Sequence, residues 1–352
     1  MKPNKKTNIK AAITAVGGYV PEDFISNKDL EEMVDTNDEW ITARTGIKKR
    51  RILKDKGKGT SFLAINAAKD LIAKKKINPE SIDLVIVSTI TPDFHGASTA
   101  PTVASAIKAK NAYAFDLSAA CSGFLFGMST ATSYIESGRY KKVLLIGADM
   151  MSSIVDYTDR STSILFGDGA GAVLVEPSLN GYGWEDEYLR SDGIGAEWLN
   201  IKSGGSLYPI SNETIANKWH YIAQDGKTVF KSAVSEMANA TEQIIIRNEL
   251  KSEEIKYLLP HQANKRIIDA TAEKINLDKN KVLMNIENYG NTTAATIPLI
   301  MYDYEKNLNE GDKLILAAFG AGLTWGAAYL TCLLYTSPSP RDATLSRMPS
   351  SA

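Results

Sequence analysis

Short runs of consecutive apolar residues recur along the chain, separated by longer amphipathic stretches and by turns containing glycine and polar residues. Continuous apolar runs are typical of strands buried on both faces of a sheet, because neither face has to be polar. The pattern predicts buried strands at Ile9–Val16, Leu84–Ser88, Ala112–Leu117, Lys142–Gly147, Gly171–Glu176, Tyr257–Pro260, Val282–Ile286, Leu314–Phe319 and Gly326–Leu330. None of these runs approaches the roughly 18 residues of a membrane-spanning helix, so no membrane partner is expected.

Between the strands, apolar positions recur every three to four residues, which is the spacing of one helix face. In residues 122–137 they form a single stripe, and Gly138 follows as a natural C-terminal stop. Residues 60–75 and 228–250 show the same spacing. Strands that alternate with helices predict an α/β protein whose helices cover mostly buried sheets.

The two halves of the chain share one order of elements. In the first half a predicted strand leads to Cys121, and in the second half predicted strands lead to His261 and to Asn291. Each half then ends with a glycine-rich turn into a further strand. The repetition predicts two similar units, residues 1–180 and residues 181–331, although generic α/β units also repeat in this way by chance.

The last segment, residues 332–352, is rich in serine, proline and arginine and lacks apolar periodicity. Such a segment has too little apolar surface to join a packed core. We therefore expect a non-native or disordered tail, and Cys332 is expected to take no part in the chemistry.

The charge balance and the cysteine content exclude several classes of protein. Lys and Arg number 40 and Asp and Glu number 41, so the net charge of -1 offers no basic field for nucleic acid. The N-terminus lacks the apolar stretch of a secretory signal, and two cysteines are too few for a disulfide framework or a four-cysteine zinc site. A cytoplasmic protein without a metal site is the simplest expectation.

Cys121 lies where a predicted strand meets a predicted helix, in the small-residue stretch 118–123, SAACSG. The free amides and the dipole of a helix N-terminus favour a thiolate, so we expect the pKa of Cys121 to be lowered. The small neighbours would let a substrate approach the sulfur closely. Taken alone, an inert buried cysteine is an equally good interpretation.

His261 and Asn291 also follow predicted strands. His261 succeeds the run Tyr257–Pro260, and Asn291 stands in the turn-like stretch 288–293. Alone, the histidine is better explained as a buried structural residue and the asparagine as a helix cap or turn residue. Because open α/β sheets bind ligands beyond the ends of their strands, the placement of both with Cys121 indicates one active site.

Two glycine-rich stretches, residues 167–171 and 319–326, superficially resemble nucleotide-binding loops. Both lead into predicted strands instead of helices, and the second lacks the Lys-Ser/Thr pair of a phosphate loop. NAD binding is therefore not expected. A tight turn that presents backbone amides is the favoured interpretation of residues 319–326.

The most specific pattern in the chain comes from Ala119–Phe124, Phe166–Gly171, Pro260–Arg266, Tyr289–Thr293 and Phe319–Gly326 taken together. These motifs closely resemble the β-ketoacyl-[acyl-carrier-protein] synthase III family, the initiating condensing enzymes of bacterial fatty acid synthesis. The resemblance extends through most of residues 7–331. It implies a thiolase-like, five-layered α-β-α-β-α fold made of two duplicated halves, usually a homodimer. It also implies acyl-CoA and malonyl-acyl-carrier-protein as substrates, with no metal or other cofactor.

The resemblance gives each residue of the site a role. Cys121 would accept the acyl group, and the backbone amides of Cys121 and Ala321 would hold the oxyanion. His261 Nε2 and the Asn291 side-chain amide would stabilise the enolate that forms when the malonyl group loses carbon dioxide.

The resemblance also implies substrate contacts. The residues matching CoA contacts are Thr36, Trp40, Arg44, Arg160 and Asn264. Lys231 and Arg266 match basic residues that face the acidic carrier protein. Trp40 as a core residue of a short helix, and the charges as part of a solvated helix face, are the alternative interpretations.

Two departures from the family pattern concern the acyl pocket, to which Phe319 is also assigned. Ala321 stands where the family turn commonly has a central glycine, and Gly96 stands where many members have a phenylalanine that closes the pocket. We therefore expect a roomier pocket that accepts primers longer or more branched than acetyl.

Two other functions are alternatives. A related synthase with these three residues could make a polyketide or quinolone-type product. A non-catalytic partner that binds the carrier protein would need none of them, so their presence argues against it.

Overall fold

The structure, a computed structural model, describes residues 9–178 and 180–334. Its strands are β1 Lys10–Tyr19, β2 Phe24–Ser26, β3 Lys49–Arg51, β4 Leu84–Ser88, β5 Tyr113–Leu117, β6 Val143–Asp149, β7 Gly169–Ser178, β8 Gly183–Ser191, β9 Leu199–Ile201, β10 Ile222–Gln224, β11 Ile255–Pro260, β12 Lys313–Gly320 and β13 Thr324–Thr331. Its helices are α1 Asn27–Glu31, α2 Asp38–Thr45, α3 Thr60–Lys75, α4 Thr99–Ala106, α5 Gly123–Glu136, α6 Arg160–Ser163, α7 Asn212–Ala216, α8 Gly226–Arg247, α9 Lys265–Lys274, α10 Ile286–Tyr289 and α11 Thr296–Asp303.

The first large sheet has the strand order β1-β7-β6-β4-β5. Strand β4 runs parallel to β5 and β6, whereas β7 is antiparallel to β6 and β1. Every residue of β4 is buried, as its continuous apolar sequence predicts. Because β4, β5 and β6 are parallel, their carboxyl ends meet at one edge of the sheet, and Cys121 follows β5 at that edge.

The second large sheet has the strand order β11-β12-β13-β8. Strand β11 is parallel to β12, β12 is antiparallel to β13, and β13 is antiparallel to β8. The order and the directions are those of β4-β6-β7-β1 in the first sheet. This repeated topology is what a fold of two duplicated halves requires.

The prediction of a strand at Val282–Ile286 is wrong. Within the described residues it makes only an isolated bridge, between Val282 and Leu258. The amides of Asn285 and Ile286 donate instead to Oε1 of Gln262, each at 3.1 Å, and so have no hydrogen left for a neighbouring strand. Helix α10 then begins at Ile286.

The helices form three layers around the two sheets. Helices α3 and α4 cover the outer face of the first sheet, and α8 and α9 cover the outer face of the second. Helices α5 and α11 lie between the sheets. The described residues therefore form the expected α-β-α-β-α succession of layers.

The central layer holds Cys121 in place. Phe124 and Met128 of α5 and Ile300 of α11 are buried between Leu145 of the first sheet and Leu316 of the second. Burial of such side chains stabilises a fold by about 1.5–3 kcal/mol each. Because α5 begins two residues after Cys121, this core also fixes the position of the cysteine.

The predicted boundary between the fold and the tail needs correction. Cys332 and Leu334 are buried in the central core. The Cys332 amide donates to the carbonyl of Asp312 at 2.9 Å, and its carbonyl accepts from the amide of Gly311 at 3.0 Å. The three apolar residues 332–334 therefore continue the packing of β13, and the remainder of the predicted tail, residues 335–352, lies outside the described residues.

Candidate active site

Cys121 occupies the short turn Ala120–Ser122 between β5 and α5, and its side chain is buried. This turn is fastened to the loop between β12 and β13. Ser122 Oγ donates to the carbonyl of Thr324 at 2.8 Å, and Thr324 Oγ1 donates to the carbonyl of Ala119 at 3.0 Å. The reciprocal pair holds the cysteine from the first half against a turn of the second half.

The end of β12 runs directly beside the backbone of the cysteine. A Cβ placed on Gly320 would lie 2.7 Å from the Cys121 nitrogen and 3.0 Å from the Ser122 nitrogen, so a side chain has no room there. Ala321 follows and lines the cavity that contains Cys121. The structure thus brings together the two residues whose amides are the predicted oxyanion donors.

The expectation of a lowered cysteine pKa is wrong. Burial raises the pKa of the Cys121 thiol, and the carboxylate of Asp149 raises it further, whereas the cysteine's own amide lowers it. The helix-terminal effect is outweighed because a thiolate loses its hydration in this buried turn. The raised pKa favours the neutral thiol form of Cys121.

His261 follows β11 and is buried. Its amide donates to the carbonyl of Ala317 at 2.7 Å, and its Nδ1 lies 2.8 Å from Oγ1 of Thr296. Because the Thr296 hydroxyl donates to the carbonyl of Thr293 at 2.9 Å, it accepts from His261, which assigns the proton to Nδ1 and leaves the lone pair on Nε2. Burial lowers the pKa of His261 to about 3, so the imidazole is neutral at pH 7.

Asn291 follows α10, not the predicted strand. Its amide donates to the carbonyl of Leu165 at 2.9 Å, and its carbonyl accepts from the amide of Gly167 at 3.0 Å. Its side-chain Oδ1 accepts from the amide of Thr293 at 2.9 Å. The Asn291 side chain therefore offers its Nδ2 hydrogens as donors.

One cavity of about 120 Å³ is lined by Cys121, His261 and Asn291 together. Its remaining walls are mostly apolar. A second cavity of about 370 Å³ shares five lining residues with the first: Ile90, Ala120, Leu199, Ile222 and Ala321. A nucleophile, a neutral imidazole and an amide donor thus meet beside space for an apolar group.

The sequence and the fold match one family. The family model described as 3-Oxoacyl-[acyl-carrier-protein (ACP)] synthase III matches residues 115–193, and its C-terminal counterpart matches residues 245–332. Beta-ketoacyl-[acyl-carrier-protein] synthase III of Chlorobium chlorochromatii is 54% identical over 92% of this chain and 99% of its own. The chain belongs to the β-ketoacyl-[acyl-carrier-protein] synthase III family.

Two further synthase III proteins agree with this assignment. Beta-ketoacyl-[acyl-carrier-protein] synthase III 2 of Bacteroides thetaiotaomicron is 52% identical over 92% of this chain and 96% of its own. The crystal structure of the synthase III from Aquifex aeolicus superposes with a TM-score of 0.83 at 42% identity, covering 92% of this chain and 99% of that one. The predicted thiolase fold and condensing enzyme class are confirmed, and both alternative functions are disfavoured.

The structure gathers three of the synthase's predicted CoA residues. The Arg44 guanidinium carbon lies 4.2 Å and that of Arg160 5.1 Å from the centre of the Trp40 ring. Trp40 is partly buried and packs against the small apolar cluster of Leu30, Ile41 and Ile164, so it has a packing role beside its contacts with the two guanidinium groups. Thr36 lies four residues before the tryptophan, and its buried hydroxyl has no hydrogen-bond partner among the described residues.

Asn264 belongs to a different element, the start of α9, which contacts α2. It caps the N-terminus of α9, where its Oδ1 accepts from the amide of Arg266 at 2.9 Å, and it lines the cavity of the cysteine. The Arg266 guanidinium lies 4.8 Å from the ring of Phe230, another lining residue. Arg266 and Lys231 are exposed, so two free positive charges flank this side of the cavity.

The predicted acyl-pocket residues do not all meet. Phe319 lines the first cavity and Ala321 lines both. Gly96 is exposed in the loop between β4 and α4 and lines neither of the two cavities. Its φ of +85° is a conformation that a phenylalanine rarely adopts, so the loop itself favours glycine at this position.

Several residues that organise the synthase site were not among the predicted site residues. Gln262 is fully buried and ties the end of β11 to the start of α10. Thr293 and Thr296 orient Asn291 and His261 through bonds that form only in the folded chain. Gln262 and Thr293 had one signal, their places in the family motifs Pro260–Arg266 and Tyr289–Thr293, whereas Thr296 had none.

Neither a membrane span nor a metal centre emerges from the part of the chain that the structure describes. No helix in residues 9–178 and 180–334 combines the length and apolar character that crossing a bilayer requires. In the same residues, no three His, Cys, Asp or Glu side chains gather as metal ligands.

Proposed function

We propose that this synthase transfers an acyl group from acyl-CoA to Cys121 and condenses it with malonyl-acyl-carrier-protein, releasing carbon dioxide. The product would be a β-ketoacyl-acyl-carrier-protein, the first condensation product of fatty acid synthesis. The single observation that carries the proposal is the cavity shared by Cys121, His261 and Asn291 beside the turn of Ala321.

The first half-reaction is acylation of the cysteine. The lone pair on Nε2 of His261 accepts the proton of the Cys121 thiol, and the sulfur attacks the thioester carbonyl. Backbone amides of Cys121 and Ala321 hold the oxyanion of the tetrahedral intermediate. The intermediate collapses to the acyl-cysteine, and the departing CoA thiolate takes the proton from His261.

The second half-reaction forms the carbon-carbon bond. The malonyl carboxylate leaves as carbon dioxide, and the electron pair of the broken bond forms an enolate whose oxygen accepts from Nδ2 of Asn291 and Nε2 of His261. The enolate carbon attacks the acyl-cysteine, and the released Cys121 thiolate takes a proton from solvent. Nε2 donates in the neutral tautomer that carries its proton there, which His261 reaches by releasing the Nδ1 proton to solvent and taking one from solvent on Nε2. The Thr296 hydroxyl, 2.8 Å from Nδ1, can then donate to that nitrogen.

Substrate recognition would divide between two regions. We propose that Trp40, Arg44 and Arg160 hold the CoA adenine, with Thr36 beside them and Asn264 contacting the pantetheine arm. The contacts of the two guanidinium groups with the Trp40 ring support a stacking platform. Lys231 and Arg266 would face the acidic carrier protein, because they are exposed charges next to a wall of the cavity.

The second cavity supports primers larger than acetyl. Its volume of about 370 Å³ adjoins Ala120 and Ala321, next to the sulfur that would carry the primer. Comparing acylation by acetyl-, butyryl- and isobutyryl-CoA tests this size preference, and a strict preference for acetyl would contradict it. Gly96 would act on primer size only through a partner protomer, as part of the homodimer that we also propose.

The chemistry needs no metal or redox cofactor, because the loss of carbon dioxide supplies the carbanion. We place the enzyme in the cytoplasm, where its two thioester substrates would be found. Intact-protein mass spectrometry with an acyl-CoA panel, followed by malonyl-acyl-carrier-protein, tests the function as a whole. We expect an acyl adduct on Cys121 that disappears as β-ketoacyl carrier protein forms, and a Cys121→Ala variant that loads normally would refute the mechanism.

A further inference from the structure

Asp149 is a fully buried carboxylate that the two half-reactions described above do not use. It is the last residue of β6. Its Oδ1 accepts from the Thr89 hydroxyl at 2.9 Å, the Ile90 amide at 2.8 Å and the Thr91 hydroxyl at 3.0 Å. One oxygen of the carboxylate is therefore bound entirely to the loop that follows β4, in the first half of the chain.

The other oxygen of Asp149 is bound entirely to the second half. Its Oδ2 accepts from the Thr293 hydroxyl in a short hydrogen bond and from the Ala294 amide at 3.4 Å. The amide of Thr293 in turn donates to Oδ1 of Asn291 at 2.9 Å. A continuous chain of two hydrogen bonds thus joins the buried carboxylate to the side chain that is proposed to hold the enolate.

Thr293 needs such a restraint. Its φ is +50°, a conformation that a β-branched residue adopts only when its surroundings enforce it. The carboxylate of Asp149 binds its hydroxyl, and the turn that follows begins with the Ala294 amide on the same oxygen. Loss of this anchor would let the Thr293 backbone relax, and the Asn291 amide would move with it.

We propose that Asp149 is a positioning residue for the condensation half-reaction, which holds Asn291 through Thr293. This inference rests on the proposed function. Acylation should be much less sensitive, because the Cys121 and Ala321 amides are held by the Ser122 and Thr324 contacts. The backbone of His261 is fixed by its bond to the Ala317 carbonyl, and its ring meets the Thr293 carbonyl only indirectly, through Thr296, so a shift of Thr293 should reach acylation in a weaker form.

The two oxygens of Asp149 allow a selective variant. In Asp149→Asn the remaining oxygen can keep its three donors in the first half of the chain. The new NH₂ group replaces the oxygen that faces the Thr293 hydroxyl and the Ala294 amide, so it meets donors where an acceptor is required. The size of the side chain is almost unchanged, and folding should be preserved.

A second variant removes the other partner of the hydrogen bond between Asp149 and Thr293. Thr293→Val removes the hydroxyl that binds Asp149 but keeps the amide that binds Asn291. The matched control is Asp116→Asn. The Asp116 carboxylate accepts from the amides of Thr99 and Ala100 at the start of α4, and it lines neither cavity described above.

The test separates the two half-reactions in single-turnover experiments. Uptake of the acyl group is followed by intact-protein mass, and its discharge is followed after malonyl-acyl-carrier-protein is added to the preformed acyl-enzyme. Because a misplacement of about 1 Å can cost roughly 100-fold in rate, we expect Asp149→Asn to slow discharge by about 10- to 100-fold. Acylation should slow by no more than about threefold in Asp149→Asn, because the loss of a charge that raises the Cys121 pKa favours the thiolate. Thr293→Val keeps that charge and should slow discharge in the same direction. Asp116→Asn should leave the ratio of the two rates unchanged.

Two results would overturn the role of Asp149 and leave the proposed function intact. One is a wild-type enzyme that loads and discharges normally while Asp149→Asn discharges at the same rate. The other is an equal loss in both half-reactions, which would show a general structural effect. A wild-type protein that takes up no acyl group from any acyl-CoA would instead refute the proposed function, and the positioning role with it.

Discussion

The contact between Gly320 and the cysteine backbone predicts a substitution that damages the oxyanion site directly. In Gly320→Ala the new methyl group would lie 2.7 Å from the Cys121 nitrogen, whereas ordinary van der Waals contact begins at 3.4 Å. Both nearest atoms are backbone nitrogens, so no flexible side chain can rotate away. The Ser122 and Thr324 hydrogen bonds further resist separation of the two turns.

The size of the effect follows from that geometry. The Cys121 amide and β12 have to separate by about 0.7 Å to relieve the contact, which is close to the displacement of about 1 Å that can cost 100-fold in rate. We therefore expect acylation by acyl-CoA to slow by roughly 100-fold. Overpacking of this kind should also lower the free energy of unfolding by about 1–3 kcal/mol.

The assay is the rate at which Cys121 gains acyl mass, with the urea unfolding midpoint measured on the same samples. Gly193→Ala is the matched control, because a methyl group on Gly193 meets no atom within 4 Å. Gly320→Ala protein that remains folded and acylates at the rate of wild type would refute the placement of the oxyanion beside Cys121 and Ala321.

Four further predictions concern other parts of the site. Thr296→Val removes the hydroxyl that binds Nδ1 of His261 and should slow turnover by about 10-fold or more, while Thr296→Ser should restore it. Because burial depresses the pKa of His261 from 6.5 to about 3, the unfolded chain binds more protons between these values. The free energy of unfolding should therefore fall as the pH drops from about 6.5 to about 3. The urea unfolding midpoint of His261→Gln should fall less steeply over this range than that of wild type. Arg44→Ala should raise the KM for acyl-CoA by about 3- to 10-fold, and the double variant Lys231→Glu, Arg266→Glu should raise only the KM for malonyl-acyl-carrier-protein.

The sheets were predictable where burial alone decides the structure. Leu84–Ser88 was predicted with the observed bounds because its residues face apolar layers on both sides. Val282–Ile286 failed because one distant side chain, Gln262, captures the amides that a strand would have used. The tail boundary moved by three residues because an apolar Cys-Leu-Leu sequence, too short to show periodicity, packs into the central core.

The site was predictable as a set of residues but not as an electrostatic arrangement. Motifs indicated that Cys121, His261 and Asn291 act together, and the cavity that they share agrees. The prediction for the thiol pKa was wrong because it considered the helix terminus without the burial or the distant Asp149. Asp149 acts on Cys121 only in the folded chain, so the sequence around Cys121 does not show this charge.

The raised pKa of Cys121 has a consequence for the whole mechanism. A preformed thiolate would need no base, and His261 would then serve only as a donor to the enolate. In the proposed mechanism a buried neutral thiol and a neutral imidazole give His261 two roles, because it would accept a proton during acylation and donate a hydrogen bond during condensation. Both roles use Nε2, so His261 would have to exchange its Nδ1 proton for one on Nε2 between the half-reactions. The Thr296 hydroxyl, 2.8 Å from Nδ1, can accept from that nitrogen in the first tautomer and donate to it in the second, so one imidazole can serve both half-reactions.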